Sequence, residues 1–368
     1  MDLKKLVIIL SFVLVTGGIL FLACSSDEEP PVILPPTDEI NVSYISPGDA
    51  PTINGELDEG IWEAGNLTQL ISVDTSEYNP RNNVALVDII ALCDSNYLYI
   101  AASWSDDTRN VRYRQWVWDT VSYNDPNVPY PWRHTFTYKE DNISFFFDPD
   151  PSSNGASQSA AEVGPNCALM CHEMDLVMVN ETGVNVDGWF WRAGVTNPLS
   201  RALDMNFVDS LQTDINFHGL DAVENTGYVP NFEPEGRTPL YTHTIDTVIA
   251  GTDTSYTIVD GETLFAEDSI AYLADQVIPA ALAEQLDSVF VPSYVLSGQA
   301  SGSRWDVEAI GAYDPVRKRW TVEFKRALNT GNADDMVFEI GNEYGIAVAI
   351  GDNTKHPHTG FDPVLLKF

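Results

Sequence analysis

The chain has 368 residues, with 54 Asp or Glu against 19 Lys or Arg and a formal charge of -35. A field of that sign repels phosphate backbones and anionic headgroups, which excludes nucleic acid and acidic lipid surfaces as partners; it favours solubility in salty water or docking to a basic partner. At 44% hydrophobic residues the chain can nevertheless bury a large core, as one large domain or two ordinary ones.

Taken in chain order, Met1-Asp2-Leu3-Lys4-Lys5 is a short basic start, and Leu6 to Ala23 is apolar apart from Ser11, Thr16, Gly17 and Gly18. That order is the one of an export signal, set apart from the fold. A permanent membrane-spanning helix is the competing reading, and the run is near the lower length limit for one. The ending Phe21-Leu22-Ala23-Cys24-Ser25-Ser26 decides between them, because it resembles a bacterial lipobox with cleavage before Cys24 and lipid on that cysteine. Residues 1–23 are therefore expected to be a lipoprotein signal peptide. Residues 24–39 are expected to form an acidic, Pro-rich tether, stiffened by Pro30, Pro31, Pro35 and Pro36. Ser25-Ser26-Asp27-Glu28-Glu29 resembles the acidic tag that sends some bacterial lipoproteins to the cell surface. The expected location is the outer membrane, facing the periplasm or outward, with the lipid as its only membrane contact.

Residues 40–368 have the grammar of strands and turns. Val84 to Cys93 and Tyr97 to Trp104 are β-prone runs joined by Asp94-Ser95-Asn96, which predicts a hairpin with Cys93 as a buried free thiol. Ile143, Phe145 and Phe147 alternate until Asp148-Pro149-Asp150-Pro151 stops the strand. Val307 to Tyr313 and Trp320 to Phe324 flank the turn Asp314-Pro315, and Met336 to Ile340 and Tyr344 to Ile350 are the last expected strands. Many short strands separated by turns predict an all-β sandwich of immunoglobulin-like type. Residues 217–290 are expected to be an insertion on it, partly helical where Ala271 to Phe290 favours helix around a break at Pro279.

Cys167-Ala168-Leu169-Met170-Cys171-His172 is the sharpest motif. Covalent haem attachment ordinarily uses two cysteines separated by two residues and followed by histidine; the thiols add to the vinyl groups and the histidine ligates iron. Here three residues intervene, so the extra one must bulge for both sulfurs to reach. Three other readings stay open: a small disulfide loop, suited to an exported protein, a share in a zinc site, for which no second cysteine pair exists, and idle thiols. Paired acids such as Asp148 and Asp150, or Asp334 and Asp335, are read as turns or at most a calcium site. No Ser-His-Asp arrangement, phosphate-cradling Gly loop or molybdenum signature is evident.

Downstream come Val186-Asp187-Gly188-Trp189-Phe190-Trp191-Arg192-Ala193-Gly194, then Thr196-Asn197-Pro198. Near the end come Gly302-Ser303-Arg304-Trp305-Asp306-Val307, Arg326-Ala327-Leu328-Asn329-Thr330-Gly331 and Ala347-Val348-Ala349-Ile350 followed by Asp352-Asn353. This ordered set resembles the haem-binding family of ethylbenzene dehydrogenase gamma subunits and dimethyl-sulfoxide-reductase-type cytochromes, with Arg192 where that family has Lys. A second segment, Ala50 to Trp62, resembles the opening of family 9 carbohydrate-binding modules, which share the sandwich. The resemblance implies one haem per chain, of c type if Cys167 and Cys171 are attached. It implies His172 as one axial ligand and His358 as the other, with His356, Met174, Met178 and Lys355 (and Met170) as alternatives. A methionine ligand would raise the reduction potential relative to two histidines.

Trp189 and Trp191 alternate across Phe190, so in a strand both face one way. They would wall a flat macrocycle, or belong to the sandwich core. Arg192 suits a haem propionate, or a salt bridge. Iron with both axial positions filled does not activate substrate, so the expected role is electron transfer, not catalysis. The expected partner is a redox protein, such as a molybdenum oxidoreductase or another cytochrome. The competing function is a carbohydrate-binding lipoprotein of the same fold, which has no need of the Cys167–His172 motif.

Overall fold

The computed structural model describes residues 39–72, 85–113, 115–118, 132–134, 138–148, 186–207, 218–231, 241–243, 269–271, 290–292, 294–296, 299–353, 359–361 and 364–368. The signal peptide, tether residues 24–38 with Cys24, the Cys167–His172 motif, Met174, Met178, Lys355, His356 and His358 lie outside the described residues, as does 272–289 within the segment expected to be helical; Glu39, the last residue of the expected tether, is already strand.

Fourteen strands build the sandwich: β1 Glu39–Asn41, β2 Ser43–Tyr44, β3 Thr68–Ile71, β4 Leu86–Cys93, β5 Tyr97–Ser105, β6 Asn142–Asp148, β7 Val186–Arg192, β8 Leu203–Phe207, β9 His218–Leu220, β10 Glu308–Asp314, β11 Arg319–Ala327, β12 Glu343–Gly351, β13 Thr359–Gly360 and β14 Val364–Lys367. One sheet has the order β1-β14-β12-β6-β7-β8-β9, with β13 beside β12; the other runs β10-β11-β5-β4-β2, with β3 beside β4. The chain enters by crossing between them, since β1 pairs with β14 in the first sheet and β2 with β4 in the second. Both expected hairpins form, and each has an aspartate at its turn. Asp94 Oδ1 accepts the backbone N–H groups of Asn96 and Tyr97 between β4 and β5. Asp314 Oδ1 accepts those of Val316 and Arg317 between β10 and β11. An acidic side chain bonding two or three residues ahead closes the turn locally, before the strands have to find each other.

Alternation decides which side chains enter the core. Ile143, Phe145 and Phe147 of β6, Trp189 and Trp191 of β7, and Ile346, Val348 and Ile350 of β12 face Val87, Ile89, Ile100, Ala102, Trp104, Trp320, Val322 and Phe324 of the other sheet. Each large side chain so buried contributes roughly 1.5–3 kcal/mol of transfer free energy. A smaller apolar cluster covers the outer face of the second sheet, where Ile45, Ile53 and Trp62 pack on Leu92, Tyr99 and Ala101. Cys93 is a buried free thiol, its pKa pushed up to about 11 by burial and then by Asp94.

Two expectations change. Met336 to Ile340 is not a strand: Met336 and Phe338 are buried with a two-residue period, but the segment runs as a loop whose Phe338 N–H donates to Leu328. Alternation alone therefore looked like a ladder that is not there. Of the 217–290 insertion, β9 is the edge strand of the eight-stranded sheet, and Ala271 and Phe290, the limits of the expected helix, are both strand residues. No helix among the described residues is long and apolar enough to cross a membrane.

Candidate functional site

β7 carries three of the expected site residues, and the structure places each of them. Trp189 and Trp191 face inward together, both fully buried. Trp189 lies against Phe147 with ring centroids 4.6 Å apart and edge-on to Phe338 at 6.2 Å. Trp191 meets Trp320 edge-on at 5.3 Å and Trp104 at 6.4 Å. Of the two readings of this pair, core packing is the arrangement observed.

Arg192 ends β7 and is 7% exposed. Its Nε donates to Glu140 Oε1 at 2.8 Å, and its Nη2 donates to the same oxygen. The Gly194 N–H donates to Glu140 Oε2 at 3.2 Å. A side chain on Gly194 would meet the Val111 carbonyl oxygen at 2.2 Å, so this glycine is needed for close backbone approach. Burial raises the Glu140 pKa, and the charge and hydrogen bond of Arg192 pull it back. Arg192 is thus a buried, paired cation, not a surface one. Beside it, Asp141 accepts from Asn110 N, Asn353 N and Trp320 Nε1, and burial pushes its pKa up to about 6.

At the opposite end of the same strand, Asp187 faces inward and meets Arg326, which reaches across from β11. Arg326 is 1% exposed and has its Nη2 2.9 Å from Asp187 and 3.1 Å from Asp335, with Nε 3.4 Å from Asp204. It also lies 5.6 Å over the Trp189 ring and 5.7 Å over Phe338. Burial alone would lower the Arg326 pKa; the three aspartates outweigh it and raise it. Asp204, fully buried, is held well above the ordinary carboxylate range by burial and then by Asp187. Asp221, after β9, is pushed up to about 8 by burial and by Asp334 and Asp335. Sequence reading singled out Arg326 only as part of a motif; the inward phase of β11 (Trp320, Val322, Phe324, then Arg326) was the signal that it is buried.

These two ends also fix where the segments outside the description are rooted. Asp148 pairs with Gly345 and Phe147 with Asp187, so residues 149–185, which carry Cys167, Cys171 and His172, leave and return at the Arg326 end. Asn142 pairs with Gly351 and Arg192, and Thr359 with Ile350, so residues 354–358, which carry His356 and His358, are rooted at the Arg192 end.

On the outer face of the second sheet a groove of about 830 Å³ is lined by residues including Leu57, Asp88, Ser103, Tyr313, Arg319 and Thr321. Arg319 is engaged there, with Nη2 2.5 Å from Asp88 Oδ2 and Nε donating to Ser103 Oγ.

A family profile described as ethylbenzene dehydrogenase matches residues 59–361. Among solved structures, the chain is similar to a family 9 carbohydrate-binding module from Caldicellulosiruptor kristjanssonii in complex with cellotriose, at 12% identity and a TM-score of 0.31 over 89% of this chain and 93% of that one. The same module with glucose gives 12% identity and a TM-score of 0.30 over 89% and 95%. A candidate carbohydrate-binding protein from Bacteroides uniformis gives 8% and 0.36 over 89% and 90%. No curated protein matches the sequence.

Proposed function

This chain belongs to the ethylbenzene dehydrogenase family, and from that premise we propose that it is a lipid-anchored haem protein that passes single electrons in the periplasm or at the cell surface. The observation that carries the proposal is Cys167-x-x-x-Cys171-His172, which falls inside the span matched to a family named for an oxidoreductase. Two thiols followed by an imidazole are the donor set that attaches and ligates a haem. Cys167 and Cys171 would hold the macrocycle, His172 would be one axial ligand and His358 the other, with His356, Met174, Met178 and Lys355 as the alternatives for the second place. The haem supplies a one-electron couple; the protein supplies its attachment, its ligands and its surroundings.

In this reading Trp189 and Trp191 act through the core, fixing the strand to which residues 149–185 return. Arg192, paired with Glu140, stands at the end of the sheet where residues 354–358 are rooted, and in this reading it would meet a propionate only by sharing that pair. The partner is a redox protein of an oxidoreductase complex, a molybdenum enzyme or a second cytochrome. Cys24 carries the lipid, which holds the chain at the outer membrane.

The test is expression of the full chain in a bacterium equipped for cytochrome c maturation, followed by intact mass and a reduced-minus-oxidised spectrum. The expected result is one haem mass that survives denaturation, sharp α and Soret bands, and loss of both in Cys171→Ser. His358→Ala should keep the haem mass and shift the spectrum by removal of an axial ligand. A lipid mass lost in Cys24→Ser checks the anchor. A colourless protein with a Cys167–Cys171 disulfide would overturn the haem reading and leave the carbohydrate-binding one in front.

A further inference from the structure

Five aspartates gather at one end of the sandwich, and Arg326 is the guanidinium buried among them. Its Nη1 donates to the Met336 carbonyl at 3.1 Å, and its Nε and Nη2 form ion pairs with Asp204, Asp187 and Asp335. What remains is an excess of carboxylate oxygens out of reach of water. Asp221 is 3% exposed, and neither of its oxygens has a hydrogen-bond donor. Asp335 is divided. Its Oδ2 receives Thr330 Oγ1 at 2.5 Å and Asn332 Nδ2 at 3.3 Å and lies 3.1 Å from Arg326 Nη2, while its buried Oδ1 receives none. Arg304 donates its Nε to the backbone oxygen of Asp221. Buried carboxyl groups crowded together without donors must either hold a proton between them or bind a cation.

We propose that a calcium ion binds between Asp221, Asp334 and Asp335. One oxygen from each lies within 4.8 Å of the others, close enough for one ion to touch all three at the calcium–oxygen length of about 2.3–2.6 Å. An all-carboxylate set without sulfur or imidazole selects a hard cation. The donors come from two separate stretches, Asp221 after β9 and Asp334-Asp335 between β11 and β12, an adaptable set suited to calcium more than to the rigid octahedron of magnesium. Asp334 and Asp335 are both partly exposed as residues, but the Asp335 side chain is buried, so the ion would enter past Asp334, with water completing the shell. The second acidic triad fed by loops, Asp106, Asp141 and Asp352, differs in that Asp141 already has three donors. Bound at the first triad, the ion would tie the edge of the eight-stranded sheet to the β11–β12 loop.

The experiment is calcium titration of the full chain, purified in EDTA, by calorimetry and by melting. One ion per chain is expected, with a dissociation constant of about 10⁻³ M or tighter. At saturating calcium Tm should rise by about 3–8 °C, with magnesium giving less. Asp334→Asn, at the rim, should weaken binding at least about tenfold while melting like the parent in EDTA. Asp221→Asn should abolish binding and melt higher than the parent in EDTA at neutral pH, because it removes a buried carboxyl group whose raised pKa costs stability there. No heat and no change in Tm up to about 10 mM calcium would overturn the proposal and assign the Asp221–Asp335 contact to a shared proton. A calcium response that Asp334→Asn leaves intact would overturn it too, by placing the ion elsewhere.

Discussion

Arg326 shows how much one side chain can commit. It carries the inward phase of β11 past Phe324 and places a guanidinium, not a hydrocarbon, at the end of the core, between Asp187 and Asp204 of the opposite sheet. Such a pair gains little over an apolar isostere, yet removing one member strands the others. Arg326→Ala should therefore cost about 3–5 kcal/mol, measured as a fall in ΔG of unfolding in urea. A loss near 1 kcal/mol would mean that the aspartates are neutral in the fold. Trp189 and Arg192 make the complementary point. Both were legible as residues of consequence, but their neighbours, Phe147, Phe324 and Glu140, come from elsewhere in the chain and were not.

Among elements, the connection from β7 to β8 has a task that its composition hides. β10 is the edge of its sheet, and an open edge presents unpaired backbone groups. Asn197 covers it: Nδ2 donates to the Gly311 carbonyl at 3.0 Å, and Oδ1 accepts the Gly311 N–H at 2.8 Å and Trp191 Nε1 at 3.3 Å. Ala202 N and Ala309 N complete the seam through Val307 and Ser200. Thr196-Asn197, recognised as a motif, is thus a clasp between the two sheets. Asn197→Ala removes three hydrogen bonds and should lower stability by about 1–3 kcal/mol. Unchanged urea midpoints would show that water replaces the amide without loss. Gly311 is tied to the same place, since a side chain there would lie 2.3 Å from Trp191 Cζ2.

Across the whole molecule, the segment before β3 is fastened to the outer face of the second sheet by Glu323, whose Oε2 accepts the N–H groups of Asn54 and Gly55 at 2.8 and 2.9 Å. Gly55 has φ +85° and its Cβ position lies 2.7 Å from Ala312 N, which reserves the site for glycine. Burial pushes the Glu323 pKa up to about 7, Glu59 adding to the rise and the Asn54 and Gly55 N–H groups opposing it. The folded state therefore keeps a proton that the unfolded chain, titrating near 4.5, has already lost. This contribution is fully present below about pH 4.5 and disappears as pH rises through 7. Urea midpoints should fall between about pH 4.5 and 7, and Glu323→Gln should flatten that fall. Parallel curves for the two proteins would exclude Glu323 as the source.

The sequence by itself determined the all-β class, the two hairpins, the inward phase of β6 and β7 and the buried Cys93, because these depend on alternation and turn chemistry within a few residues. It did not separate a ladder strand from the buried loop at Met336 to Ile340, since both alternate and only a hydrogen-bonding neighbour tells them apart. Nor did it show that Asp187, Asp204 and Asp335, scattered over nearly 150 residues, meet around Arg326 with Asp221 gathered beside Asp335, or that Arg192 pairs with Glu140. Those encounters depend on strand order and register between distant segments, and the energetics of a buried charge are set by what surrounds it in space.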